Sequence, residues 1–526
     1  MAFRCRDVEI PMLRLTTMLL VLALLGACAV NPVTGRNQIN FMSEAQERNI
    51  GAAQYGPSQQ SQGGEYHADP ELSAYVNSVG QRLAAVSDRP LDYEFVVLNN
   101  NVPNAWALPG GKIAVNRGLL VELNNEAELA AVLGHEVVHA AASHGALAMT
   151  RGTLLQGAMV LGMIAGSNSE YADFIVGGAQ LGAQLITQRY GRDAERESDY
   201  YGIRYMVRAG YDPRAAVSLQ QTFVRLSEGR SSSWLEGLFA SHPPSEERVF
   251  NNQELVVELT PQLAGLDLEL GEARYQEAIA NLKRSQPAYD LLDDAERAIA
   301  DDDLEAALNH INEAISLLPG EARFHGLKGD IQFYQRRYRA AIASYDAALQ
   351  RDDAYFDYYL GRGVAHARLD QDARAKADLE RSANLLPTAI AMNELGKISL
   401  AGGDRVAAKQ FFQQAAGAEG LVGQEALSAF IQLDVRDNPA NYIQAQAFTD
   451  GNGRILVRVA NHSPVTLHEI QVQIAAVVGG RVRHRNVLVG TLPSRSQQDY
   501  GTGLAFPQGT AWNASMMEAE VVAARP

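Results

Sequence analysis

Hydrophobic and polar positions follow different rules in successive parts of this chain, and each rule predicts an element. Glu128-Leu129-Ala130-Ala131-Val132-Leu133-Gly134 and Ala140-Ala141-Ala142 are good helix formers on either side of residues 135–139, so one continuous helix is expected there. Residues 154–166 and 174–186 are rich in Leu, Ile, Val, Ala and Gly, with the polar turn Ser167-Asn168-Ser169-Glu170-Tyr171 between them. Each falls short of the roughly 20 apolar residues that span a bilayer. They read as buried helices, or a lid over a cleft, rather than as a membrane hairpin.

Past residue 285 the pattern becomes periodic. Pro319, Asp353 and Pro387 hold equivalent places after Ala-rich helices, 34 residues apart. That is the period of tetratricopeptide repeats, two helices per unit, whose stacking builds a concave binding surface. The second helices are expected at Leu304-Glu305-Ala306-Ala307, Tyr338-Arg339-Ala340-Ala341 and Asp372-Ala373-Arg374-Ala375, with Arg405-Val406-Ala407-Ala408 as a degenerate fourth. From about Tyr442 the helical signal stops. Residues 453–462 and 470–477 alternate or run β-branched between Asn, Gly and Pro turns, which predicts a small β-sandwich.

The chemistry concentrates in His135-Glu136-Val137-Val138-His139. At 3.6 residues per turn, His135 and His139 share one helix face and can reach one metal ion, while Glu136 beside them is the natural general base. A metzincin continuation fails, because position 142 is Ala and His144 falls one residue early. A later helix offers Glu195 and Asp199 at i and i+4. Glu195 can ligate a metal, and Asp199 can accept a hydrogen bond from the outer nitrogen of a ligating His. Glu197, about 200° around the same helix, is the rival ligand. His67, His144 and His310 carry no partner pattern and read as ordinary surface or packing residues.

The N-terminus bears on where such chemistry takes place. Arg4, Arg6 and Arg14 precede an apolar run from Leu19 to Leu25, which reads as a secretory signal peptide over residues 1–27. The run ends Leu25-Gly26-Ala27-Cys28, a lipobox pattern that makes Cys28 a lipidated membrane anchor. Cys5 lies in the leader, so the mature chain has no disulfide and depends on core burial. A formal net charge of −16 argues against a nucleic-acid partner.

Four segments together resemble a known family. They are residues 135–139, Glu195 with Asp199, Asn104-Ala105-Trp106-Ala107-Leu108-Pro109-Gly110-Gly111 with the strand after it, and Ser241-His242-Pro243-Pro244-Ser245 with Arg248. They are similar to the HExxH gluzincin peptidases of the CAAX prenyl endopeptidases and HtpX. The closest likeness is to BepA-type periplasmic peptidases with tetratricopeptide repeats. Trp106 stands where Phe is more usual, and Ser198 where Ala is common.

The resemblance implies one Zn2+ held by His135, His139 and Glu195. It also implies a substrate-receiving edge strand at Ile113, Ala114, Val115 and Asn116, and a site role for His242 as oxyanion stabiliser or latent fourth ligand. The expected architecture is multidomain: a mainly α zincin-like peptidase domain with a small sheet at 28–275, an α-solenoid of repeats at 285–435, and a β-sandwich at 440–526. The expected protein is a zinc metalloendopeptidase anchored through Cys28 on the periplasmic side of the outer membrane. Its expected partners are unfolded or misassembled envelope proteins as substrates, with the outer-membrane assembly machinery engaged through the repeats. The rival reading is a lipoprotein chaperone or scaffold with a latent zinc site.

Overall fold

The computed structural model describes residues 28–151, 190–229, 242–507 and 513–526. The expected signal peptide and the two apolar segments at 154–166 and 174–186 lie outside these residues. The chain divides into two compact units, Met1–Ala365 and His366–Pro526.

The first unit opens with an antiparallel pair, β1 (Cys28–Val30) and β2 (Asn37–Ile39). Helices α1 (Glu44–Ser61) and α2 (Pro70–Ala84) follow. Ser43 and Gln46 close a capping box on α1, and Asp69 caps α2, satisfying amides that a helix start leaves free. Then come β3 (Glu94–Leu98), β4 (Ala105–Leu108), β5 (Lys112–Asn116), the single turn α3 (Arg117–Leu120) and α4 (Glu126–Ala141). Asn125 caps α4, and every residue of α4 is buried.

The strand order is β3-β5-β4. This corrects one expectation. Ile113, Ala114, Val115 and Asn116 belong to the central strand, paired parallel with β3 and antiparallel with β4. Both of its backbone edges are engaged, so no substrate strand can add there. The Pro-Gly-Gly turn instead places β4 at the outside of the sheet.

Beyond the sheet lie α5 (Arg192–Arg208), α6 (Arg214–Gly229), α7 (Glu246–Leu263) and α8 (Glu272–Ala278). Four more helices follow in pairs: α9 (Ala280–Ala300) with α10 (Leu304–Leu317), then α11 (Ala322–Tyr334) with α12 (Tyr338–Leu349). One hydrophobic core runs from Val33 and Leu72 through α4 to Tyr289, Phe324 and Ile331. The interval 275–285 is therefore not a packing border. Arg117, fully buried, lies 3.4 Å above the Tyr289 ring, and Asn99 donates to Glu321 at 3.0 Å, which fastens the sheet to the first repeat helices.

Helix α13 (Phe356–Ala367) crosses into the second unit, which holds α14 (Asp372–Leu385), α15 (Ala389–Ala401), α16 (Arg405–Ala415) and α17 (Gly420–Asp434). Helices begin at Leu304, Tyr338 and Asp372, 34 residues apart as the period requires, and at Arg405, 33 residues on. Small residues (Ala307, Ala341, Ala375, Ala408) are fully buried at the equivalent position of each, so neighbouring helices can approach closely.

The strands β6 (Ile443–Thr449), β7 (Arg454–Asn461), β8 (Leu467–Val478), β9 (Arg481–Leu492), β10 (Gln497–Ala505) and β11 (Met517–Arg525) complete the chain. They form two three-stranded antiparallel sheets, β10-β7-β6 and β11-β8-β9. Alternate residues point inward, Ile455, Val457 and Val459 from one sheet and Ile470, Val472 and Ile474 from the other, as a period of two requires. Among the described residues, no helix is long and apolar enough to cross a membrane.

Candidate metal centre

Helices α4 and α5 cross so closely that glycines are needed at the contact. A Cβ on Gly202 would lie 3.1 Å from the backbone nitrogen of His135, and one on Gly134 would lie 3.2 Å from the Gly202 carbonyl. The crossing sets Glu195 of α5 opposite the histidine face of α4. We expect Gly202→Ala to push the helices apart, lower stability by about 1–3 kcal/mol and weaken metal retention, measurable by urea denaturation and by chelator competition.

His135, His139, Glu195 and His242 are all buried, and each offers a ligand atom within 4.8 Å of the others. His139 Nε2 lies 3.0 Å from His135 Nε2. His242 Nδ1 is 3.3 Å from His135 Nε2 and 2.9 Å from Glu195 Oε1. Glu195 is 3.5 Å from His135 Nε2 and 3.4 Å from His139 Nε2. Imidazole lone pairs facing each other at such distances repel unless a proton or a cation lies between them. His242 Nε2 is buried without a hydrogen-bond partner. Nitrogen and carboxylate donors converging on one point fit a bound metal ion.

Asp199 accepts from His135 Nδ1 at 3.0 Å, and Arg248 forks onto both Asp199 oxygens at 2.7 Å while reaching Glu195 Oε2 at 3.0 Å. Electrostatics follow from these contacts. Burial alone would push His135 down, but the Glu195 and Asp199 carboxylates overcome it and raise its pKa to about 10 in the metal-free protein. Burial drives His139 well below its ordinary value. Burial raises Glu195 and Asp199, yet His242 and His135 hold the first low and Arg248 the second. Glu136 is raised, mainly by burial. Its Oε1 lies 3.6 Å from His242 Nε2, and its Oε2 has no partner.

Glu197, the rival ligand, faces away from the cluster and meets His144 at 3.2 Å. His144 itself requires a correction. It is buried, with Nδ1 3.0 Å from His139 Nδ1, and is not an ordinary surface or packing residue. His67 is exposed and His310 half-buried, both away from the cluster. Tyr190, unmarked by any sequence pattern, lies against His139 with ring centroids 4.0 Å apart. An apolar cavity lined by Val132, Ile203, Met206, Leu219 and Phe223 adjoins His135 and His242.

This arrangement can be set against known proteins. Residues 70–256 match Peptidase family M48. The M48 match contains all four cluster residues, and the likeness to HExxH gluzincin and BepA-type peptidases is borne out. The "Beta-barrel assembly-enhancing protease" of Escherichia coli (strain K12) is 26% identical over 298 residues, 52% of this chain and 61% of that protein. The chain thus spans about three fifths of the length of that relative. The "Mitochondrial metalloendopeptidase OMA1" of Schizosaccharomyces pombe (strain 972 / ATCC 24843) is 32% identical, over 43% of this chain and 66% of its own. A solved structure, the first TPR of Spaghetti (RPAP3) bound to an HSP90 peptide, is 25% identical over 23% of this chain and 95% of its own, at TM-score 0.22.

Proposed function

We propose that this protein is a zinc metalloendopeptidase of the bacterial envelope, with a zincin-like catalytic domain and repeats that recruit clients. The observation that carries the reading is the convergence of His135, His139, Glu195 and His242 next to Glu136, within a stretch matching a peptidase family. Zn2+ bound by His135, His139 and Glu195 would supply Lewis-acid polarisation of the scissile carbonyl and lower the pKa of the attacking water. Glu136 takes the water proton at its unpaired Oε2 and returns it to the leaving amine. Asp199 fixes His135 as the Nδ1–H tautomer, leaving Nε2 free to ligate.

His242 serves as a latent fourth ligand. Its Nδ1 sits 2.9 Å from Glu195 Oε1, inside the donor set, which favours this role over that of an oxyanion donor standing beside it. The substrate then pairs with β4, whose outer edge has no strand partner among the described residues. Addition of an extended peptide to a sheet edge uses the backbone for affinity.

The clients are unfolded or misassembled envelope proteins, and the relative named for β-barrel assembly supports an outer-membrane setting with Cys28 as the lipid anchor. The repeats engage the outer-membrane assembly machinery, and the C-terminal sheets form a small sandwich.

The test is zinc content and cleavage of an unfolded protein by the chain starting after Cys28. One zinc per chain is expected, with cleavage lost on chelation and restored by zinc. His242→Ala should keep the zinc and cleave several-fold faster, because the fourth position is open from the start. Zinc retention without cleavage in either form would favour a chaperone or scaffold. A folded, metal-replete sample that holds no zinc would overturn the reading.

A further inference from the structure

We propose that His144, Glu197 and Asn31 form a positioning relay for His139, so that the N-terminal hairpin takes part in holding the metal. The inference rests on the metal-centre reading above. His139 turns Nε2 toward His135 and Glu195, which leaves Nδ1 pointing out of the cluster. That nitrogen lies 3.0 Å from His144 Nδ1, His144 Nε2 lies 3.2 Å from Glu197 Oε1, and Asn31 Nδ2 donates to the same oxygen at 2.8 Å.

One proton arrangement satisfies the whole chain. With a lone pair on His139 Nε2 for the metal, its proton sits on Nδ1 and is donated to His144 Nδ1. The His144 proton then sits on Nε2 and is donated to the Glu197 carboxylate. Asn31 cannot be flipped, because its Oδ1 already accepts from the amides of Val33 and Thr34 at 2.9 and 3.1 Å. Its amide group must therefore face Glu197. The Ser198 hydroxyl, 3.4 Å from His144 Nδ1, adds a second donor to the same lone pair. His135 is oriented directly by a carboxylate. His139 reaches its carboxylate only through a second imidazole.

The backbone spends strain to place that imidazole. Ser143 ends the helix with φ 58°, a left-handed conformation that costs an L residue of order 1 kcal/mol or more. Its hydroxyl accepts from Arg89 at 2.7 Å and donates to Glu47 at 3.0 Å, and Arg89 and Glu47 pair at 2.9 Å. The turn they hold brings His144 back onto His139. The far end, Asn31, lies in the connection from β1 to β2, three residues after Cys28.

The test measures zinc affinity by chelator competition, and the visible spectrum of the cobalt-loaded protein, in the full chain. His144→Phe should weaken zinc binding about 10–100-fold and shift the cobalt bands. His144→Asn presents an acceptor where Nδ1 was and should recover most of the loss, whereas His144→Gln, with its acceptor displaced, should not. Asn31→Asp, which keeps the acceptor for the Val33 and Thr34 amides and removes the donor to Glu197, should lose several-fold affinity. If His144→Phe does not fold, the contrast between Asn and Gln decides. Wild-type affinity and spectrum in the Phe variant, or equal losses in Asn and Gln, would overturn the relay alone. A wild-type chain that takes up no zinc would overturn the metal centre with it.

Discussion

Glu136→Gln is expected to abolish peptide cleavage in practice, lowering kcat by about 10²–10⁴-fold, the usual worth of a positioned general base, while one zinc per chain is retained. Glu136 lies outside the four-residue donor set, so its loss removes no ligand. Gln has the same volume and cannot accept the proton of the attacking water. KM should change little, because the residue acts on the reaction rather than on substrate binding. Stability should hold or rise slightly, since burial already disfavours the ionised carboxylate and the amide removes that cost. Kinetics on an unfolded protein substrate, alongside metal analysis, check both halves. A variant that keeps a tenth of the wild-type rate would remove Glu136 from the proposed mechanism.

The parts of this site visible in the sequence are those set by helix periodicity. His135 and His139 share a face because they are four apart, and Glu195 and Asp199 do so for the same reason. Helix geometry likewise separates Glu197 from Glu195, and in the structure the two carboxylates serve different histidines. The parts that were hidden depend on departures from periodicity. His144 would continue around the helix, but the left-handed Ser143 turns it back, and nothing in Ala142-Ser143-His144 marks a serine for that conformation.

The order of the sheet was hidden for a different reason. The Pro-Gly-Gly turn announces a hairpin of β4 and β5. The parallel partner that makes β5 central is β3, before that hairpin in sequence, and local alternation carries no record of it. The repeats were legible by period, yet their first helices pack into the core of the first unit through residues such as Tyr289 and Phe324. A repeat pattern specifies neighbours within the array. It does not specify what the end of the array rests on.

Arg248 was visible only as part of a resembling segment, and its removal should have the second largest effect. Arg248→Met keeps the length of the side chain and deletes the cation that faces both Asp199 oxygens and Glu195 Oε2. Two buried carboxylates would lose their fixed counter-charge, a situation that costs about 3–5 kcal/mol when one partner of a buried pair is removed. In chelator, the urea midpoint of the metal-free protein should fall accordingly. Saturating zinc should recover part of the loss, because a dication beside Glu195 restores the charge balance. Arg248→Lys should recover little, since a single ammonium cannot span both carboxylates as the planar fork does.

The pH dependence fixes the cause. Asp199 has a folded pKa held below its ordinary value, so its contribution is full above the unfolded pKa of about 4 and is lost as pH falls through the folded value. Without Arg248, burial raises both carboxylates, and they take up protons at higher pH than in the wild type. The stability gap between wild type and Arg248→Met should therefore be widest near neutrality and narrow toward acid. A gap independent of pH would assign the loss to packing of the arginine stem, and not to the charge it brings to Asp199 and Glu195.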